Sequence, residues 1–326
     1  MIADMAHVSR ATVRRVIRNE PYVKDDVRKR VTAIIEQYHY KPNTAGIALV
    51  SRRADIKIGV ISFNATDKLY EELHRGSQQA AFDYRDYGVE ILQRYVDDQS
   101  GYQNVVQAIR ELVDDGIRGL AITGIDVPEV RRELLAIQDR IPIVTYNTEI
   151  SGIDELCFVG QDSIKSGRTA AALMASMLSP QEGEIAVIVN SMNVAAVAKR
   201  VKGFRSRLEE TGGLTVCATL ENSSSNTRSY ELLSGVLQRN PRIRGVYIAS
   251  GFGSKGVCRA LEEAGRGDVR IVAHDLLPYT VENLLSGKIT FSIDQELYRQ
   301  GYLPVEILAK LVLMKESPQT KRIFTK

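Results

Sequence analysis

No stretch of the chain approaches the ~18 consecutive apolar residues that a helix needs to cross a bilayer, so no transmembrane helix is expected. Residues 1–12 include Asp4, His7, Ser9 and Arg10 and have no apolar core, so no secretory signal is expected and the chain is placed in the cytoplasm. Cysteine is scarce: Cys157, Cys217 and Cys258 are far apart in apolar, strand-like or helix-like surroundings. An odd, scattered set of this kind describes reduced core residues, not a disulfide framework. The four histidines, His7, His39, His74 and His274, show no metal-ligand spacing, so neither a metal nor a cofactor is expected. A dominant charge is lacking too, with 43 Lys+Arg against 40 Asp+Glu.

That balance conceals a partition. Residues 1–53 hold 11 basic and 5 acidic side chains, whereas the remainder holds 32 and 35. A small basic head on a mildly acidic body suggests a polyanion-binding module joined to something else. At roughly 150 residues per domain, 326 residues suggest about two folded units, and 44 % hydrophobic with 25 % charged residues describes a globular chain.

In the head, Ile2, Ala3, Met5 and Ala6 suit the inner face of a short helix. Ser9 is a natural N-cap for a second helix whose Val13, Val16 and Ile17 share one face. Arg10, Ala11, Arg14, Arg15 and Arg18 fall on the open side, and Pro21 closes the segment. A third helix is expected over about 24–38, with Val27, Val31, Ile34 and Ile35 at core spacing. Three short helices with a basic second one describe a helix-turn-helix module, whose second helix enters the major groove. The competing reading is a small bundle with a solvated basic face.

The motif Ile2-Ala3-Asp4-Met5-Ala6-His7-Val8-Ser9-Arg10-Ala11-Thr12-Val13 resembles the helix-turn-helix of the lactose-repressor (LacI) family. The likeness continues through Asn19-Glu20-Pro21-Tyr22-Val23, Arg28-Lys29-Arg30-Val31 and Tyr40-Lys41-Pro42-Asn43, with His7 where the family usually has glycine. The resemblance implies that Arg10, Ala11 and Arg15 face base edges, while Ser9, Thr12, Arg18 and Asn19 mainly anchor phosphates. It also implies that Asn43 opens a hinge helix formed on DNA, and that Leu49 wedges into the minor groove. A homodimer on a pseudo-palindromic operator follows from paired half-sites.

After Arg53 the pattern turns to alternating strands and helices. Strands are expected at 56–63, 89–96, 119–123, 141–147 and 158–162, then at 184–190, 214–221, 245–250, 269–275 and 289–295. Amphipathic stretches separate most of them, which implies parallel sheets covered on both faces, in two doubly wound subdomains. Ligands of such sheets gather beyond the carboxyl ends of the strands. Those ends carry Asn64, Asp67, Thr123, Asn147, Asp162, Asn190, Ser250, Asp275 and Gln295, a set suited to a polyhydroxylated ligand, although any one of them alone is an ordinary loop-starting residue.

The body resembles the type I periplasmic sugar-binding-protein fold of LacI-family regulators. The motifs are Leu73-His74-Arg75-Gly76, Phe158-Val159-Gly160-Gln161-Asp162, Arg200-Val201-Lys202-Gly203-Phe204 and Ile271-Val272-Ala273-His274-Asp275. The resemblance implies that Arg200, Asp275 and Gln295 contact the effector, and that Leu69 and Tyr70 stand where relatives place a ring against it. Ser250-Gly251 replaces a frequent Asn-Asp, and Tyr146-Asn147-Thr148-Glu149 lacks a frequent Asp-Arg pair.

One motif points elsewhere. Gly251-Phe252-Gly253-Ser254-Lys255-Gly256 is a G-x-G-x-x-G between a strand and a helix, with Asp275 ending the next strand, which reads as a dinucleotide-binding turn. It follows the eighth strand, not the first, and no proton donor accompanies it. A nicotinamide-dependent oxidoreductase is therefore the second reading. A transport receptor, which uses the same body, would carry an export signal in place of residues 1–50.

The expected protein is a ligand-responsive transcription regulator, a repressor and not an enzyme. Its units are a helix-turn-helix at 1–41, a hinge at 42–54, and an effector-binding and dimerisation body at 55–326. The body divides into one subdomain of about 55–162 plus 296–326 and another of about 163–295. Its partners are operator DNA, a sugar or polyol effector and a second copy of itself, with no membrane.

Overall fold

A computed structural model describes residues 2–17, 23–37, 56–63, 68–96, 101–123, 126–178 and 182–325. The head consists of α1 (Ile2–Met5), α2 (Arg10–Ile17) and α3 (Asp25–Gln37). Ile2, Ala3, Ala6, Val13, Val16 and Val31 form its buried core. Ser9 caps α2: its Oγ accepts from the Thr12 backbone N–H at 3.1 Å, which satisfies one of the amides a helix start leaves open. His7 takes φ 50° in the turn between the helices, a left-handed conformation that histidine tolerates better than most residues. Asp25 and Asp26 oppose the positive end of the α3 dipole.

The body follows as β1 (Ile56–Phe63), α4 (Lys68–Arg85), β2 (Val89–Val96), α5 (Gln103–Asp114), β3 (Leu120–Ile122), α6 (Pro128–Ile137), β4 (Ile143–Tyr146) and β5 (Cys157–Gln161). Next come α7 (Ser163–Leu178), β6 (Gly183–Val189), α8 (Ala195–Thr211), β7 (Leu214–Glu221), α9 (Asn226–Arg239), β8 (Ile243–Ile248), α10 (Ser254–Glu263), β9 (Arg270–His274), α11 (Pro278–Leu285) and β10 (Phe291–Ile293). Helix α12 (Leu297–Met314) and β11 (Arg322–Thr325) close the chain.

Two parallel sheets result, in the orders β11-β5-β4-β3-β1-β2 and β10-β9-β8-β6-β7. The central strands of each are buried on both faces, so they read as continuous apolar runs such as Ile185-Ala186-Val187-Ile188-Val189. Strands β1, β2 and β7 match the expected spans. Strands β3, β4 and β10 are shorter at both ends, β4 starting only after Pro142, which has no N–H to give to a ladder, and β8 begins and ends two residues earlier. Strand β11 was not foreseen: its four residues, Arg322-Ile323-Phe324-Thr325, are too short and too exposed to show a pattern.

Close helix crossings set the frame. A methyl group on Gly76 would overlap the Tyr298 carbonyl, and one on Gly301 the Leu73 carbonyl, so α4 and α12 meet backbone to backbone. Helices α7 and α8 meet the same way through Gly167, against the Arg200 carbonyl, and Gly203, against that of Ile164. The glycines of two motifs, Arg75-Gly76 and Arg200-Val201-Lys202-Gly203, therefore serve packing.

Candidate functional site

The polar strand ends flank the two crossings between the sheets, after β5 and after β10. Arg200, held on α8 by the α7 crossing, is 4 % exposed. Its guanidinium donates through Nη1 to the Ala249 carbonyl at 3.1 Å, and through Nη2 to Gln161 Oε1 at 3.1 Å and Gln295 Oε1 at 2.6 Å. Gln295 Nε2 in turn donates to Asp275 Oδ1 at 2.5 Å. Arginine only donates and an ionised carboxylate only accepts, so each amide in this chain has one permitted orientation. Gln161, on the first sheet, also donates through Nε2 to the Asp294 carbonyl at 3.3 Å, joining the two sheets at the crossing.

Burial pushes the Asp275 carboxyl above its ordinary range, against the pull of the Arg200 charge and the Gln295 amide. Burial, aided by the Arg200 charge, holds His274 well below its usual range, so its ring is neutral at pH 7. The ring pairs with the Tyr247 hydroxyl at 2.8 Å and is packed away from solvent.

Several buried polar atoms here find no protein partner among the described residues: Asp275 Oδ2, Arg200 Nε, Ser250 Oγ, Thr123 Oγ1 and Asn190 Oδ1. An unmatched buried group costs about 1–3 kcal/mol. Thr123 follows β3 and Asn190 follows β6, whereas Ser250 lies just past β8 and Asp275 just past β9. Hydroxyl groups, each able to donate and accept, complement such a set.

A cavity of about 200 Å³ opens between the lobes, lined by Asn147, Glu149, Gln161 and Arg322 with Ala195 and Lys199 opposite. Glu149 pairs with Lys199 across the gap and with Arg322 beside it.

Of the expected effector residues, Arg200, Asp275 and Gln295 are in direct contact, Ser250 adjoins the Ala249 carbonyl that Arg200 holds, and Asn147 reaches them through Gln300. Tyr70 is half-buried, its ring 5.6 Å from that of Phe63. Asn64 lies outside the described residues, as does the Leu69 side chain. In the head, Ser9 and Thr12 are bonded to each other (Oγ to Oγ1, 2.9 Å), and Arg15 is exposed. Arg18, Asn19, Asn43 and Leu49 lie outside the described residues, as do the side chains of Arg10 and Ala11. Sequence reasoning assigned no role to Gln161, Gln300 or Thr325. A glutamine on the apolar face of α12 was the readable signal for Gln300.

The glycine-rich turn has a packing role. Gly253 sits at φ 111° at the start of α10, where a Cβ would lie 2.6 Å from Asn222 Nδ2 and 2.7 Å from Ser229 Oγ. A Cβ on Gly256 would overlap the Asn226 carbonyl, so this glycine lets α9 and α10 touch.

A basic helical head and a two-lobed α/β body with a polar cleft are the parts of a ligand-responsive, DNA-binding regulator. Residues 2–43 match the bacterial regulatory proteins of the lacI family, and residues 58–316 match the periplasmic binding protein domain. Catabolite control protein A of Priestia megaterium is 24 % identical over 323 residues, covering 95 % of this chain and 90 % of that protein. The xylose/arabinose-binding protein XylF of Sulfolobus acidocaldarius is 24 % identical over 220 residues, which are 61 % of this chain and about half (53 %) of that protein. A solute-binding protein of Burkholderia graminis, solved with D-arabinose, superposes with a TM-score of 0.74 at 24 % identity, over 83 % of this chain and 93 % of that one. The chain belongs to the lacI family of transcriptional regulators, with a body of the periplasmic binding protein family.

Proposed function

We propose that the protein represses transcription as a homodimer on a pseudo-palindromic operator, and that a sugar or polyol bound between the two lobes sets its operator affinity. The observation that carries the effector reading is the Arg200–Gln295–Asp275 chain, accompanied by buried hydroxyl and carboxylate atoms that have no protein partner among the described residues. The names of two relatives put pentoses first among effectors. Binding and release suffice for this function, and no chemical step is assigned to the cleft.

The units of this reading are a DNA-reading head at 1–41, a hinge at 42–54 and the body from 55. The body's lobes are 55–162 plus 296–326 and 163–295, and the protein acts in the cytoplasm. Arg10, Ala11 and Arg15 read bases, Ser9, Thr12, Arg18 and Asn19 hold phosphates, and Asn43 and Leu49 act in the hinge. Asn64, Leu69, Tyr70, Thr123, Asn147 and Ser250 complete the effector site around Arg200, Asp275 and Gln295. The effector shifts DNA affinity only by its differential affinity for the two lobe arrangements.

A thermal-shift screen of pentoses, hexoses and polyols tests this reading. A true effector raises the melting temperature in a concentration-dependent way, and the same compound changes retention of DNA selected from a random library. Selection of sequences without two-fold symmetry overturns the dimeric operator, and a screen with no stabilising compound overturns the sugar effector.

A further inference from the structure

We propose that Gln300, outside the cleft itself, is a positioning residue that fixes Asn147 as a hydrogen-bond acceptor toward the effector, so that the effector must place a hydroxyl donor there. The proposal rests on the reading above that Asn147 belongs to the effector site.

Gln300 lies on the buried face of α12 beside Leu297, Gly301 and Pro304, and is 0 % exposed. An amide in that setting is costly unless both its ends are bonded. Its Nε2 donates to the Gln295 carbonyl at 2.7 Å and to Thr325 Oγ1 at 3.1 Å, and its Oε1 accepts from Asn147 Nδ2 at 3.0 Å. The Thr325 hydroxyl spends its own proton on the same Gln295 carbonyl, at 2.8 Å. A backbone carbonyl can only accept, so the Gln300 amide has one orientation, with nitrogen toward Gln295 and oxygen toward Asn147. Asn147 must answer with its NH₂ group, which turns Oδ1 away from Gln300.

The Asn147 backbone is pinned as well. It takes φ 60°, a conformation asparagine tolerates, and its N–H donates to the Val159 carbonyl at 2.9 Å. Asn147 lines the cavity between the lobes, and its Oδ1 has no partner among the described residues. The polarity set at one backbone carbonyl is thus relayed through two amides to the cavity. A ligand hydroxyl answers that oxygen, whereas a carboxylate or phosphate oxygen meets it as a like dipole. The Gln295 carbonyl keeps its bond from the Thr325 hydroxyl when Gln300 is replaced, so the Gln295 contacts to Arg200 and Asp275 do not depend on Gln300.

The test uses the full-length protein with Gln300→Met, Asn147→Ala and the double variant. In ligand-free protein, the side-chain amide protons of Asn147, assigned by their loss in Asn147→Ala, are expected to exchange with solvent about tenfold faster in Gln300→Met. By calorimetry with D-arabinose, D-xylose and D-ribose, Gln300→Met is expected to weaken the pentose that the wild type binds by about tenfold, the worth of one well-placed hydrogen bond. The double variant should bind no more weakly than Asn147→Ala alone, because the two residues act as a unit. Unchanged amide exchange in Gln300→Met, or independent losses that multiply in the double variant, overturns the proposal. A wild type that binds none of the three pentoses counts against a pentose effector, while the exchange measurement still decides the role of Gln300. If Gln300→Met does not fold, Thr325→Val removes one of the two acceptors that hold Gln300 Nε2 and is expected to show the same effects at smaller amplitude.

Discussion

Gly167→Ala isolates the crossing that holds Arg200 in place. The added methyl would overlap the Arg200 carbonyl oxygen and stand 2.7 Å from its carbonyl carbon and 2.9 Å from its Cα. These are backbone atoms and cannot rotate away, so α7 and α8 must separate by roughly 1 Å, which costs about 1–3 kcal/mol in a packed core. The same shift stretches the Arg200 bonds of 3.1, 3.1 and 2.6 Å, each worth about 1 kcal/mol or more. Against this, alanine gains about 1 kcal/mol of helix propensity over glycine. The net is a loss of about 1–2 kcal/mol, which calorimetry should read as a fall in melting temperature of about 2–6 °C. Because the strain falls on the residue that bonds Gln161 and Gln295 from the two lobes, effector affinity should drop at least about tenfold. Gly235→Ala on α9 is the control. Only the far end of the Arg239 side chain comes near, at 3.6 Å, so that variant should gain about 0.5–1 kcal/mol. If Gly167→Ala behaves like Gly235→Ala, the crossing does not position Arg200 and the reasoning fails.

Arg15→Ala should relax base preference at one position in each half-site, by about 1–3 kcal/mol; unchanged selection from a random DNA library refutes that contact. Arg200→Ala should abolish the response to effector in a gel-retention assay while operator binding persists, and loss of both would instead mean misfolding. Asp275→Asn should alter the pH dependence of stability. The folded Asp275 carboxyl titrates above its ordinary value of 3.8, so wild-type stability is full below that value and declines as pH rises through the raised one. The variant has no such group, so its melting temperature should gain on that of the wild type as pH rises from about 4, at the expense of effector binding. Parallel pH profiles refute the assignment.

Much of the frame was legible because fully buried parallel strands are apolar along their whole length. Ile56–Phe63 could be read to the residue, and Ser9 announced a cap that the Thr12 amide confirms. Strand β11 was hidden, since four residues pairing at an edge carry no period. The glycine-rich turn misled for a physical reason: close approach to a phosphate and close approach of two helices require the same residue. Strand ends pointed to Arg200, Asp275 and Gln295 as a group, but not to the path between them. Hydrogen-bond direction depends on partners distant in sequence, and Gln300 is 153 positions from Asn147.

The order in which the elements lie along the chain also bears on biosynthesis. The second sheet, β6 to β10, is built from one continuous stretch, whereas the first lacks its edge strand β11 and the covering helix α12 until residues 297–325 are made. During synthesis the head and the second lobe can fold while the first lobe still exposes the face of α4 that α12 later covers. A chain cut before Leu297 would therefore lose part of the lobe nearest the head in sequence, not of the one nearest the truncation. Such a product would keep the DNA-reading helices and lose Gln300 and Thr325, which hold the Gln295 carbonyl, making it a regulator deaf to its signal.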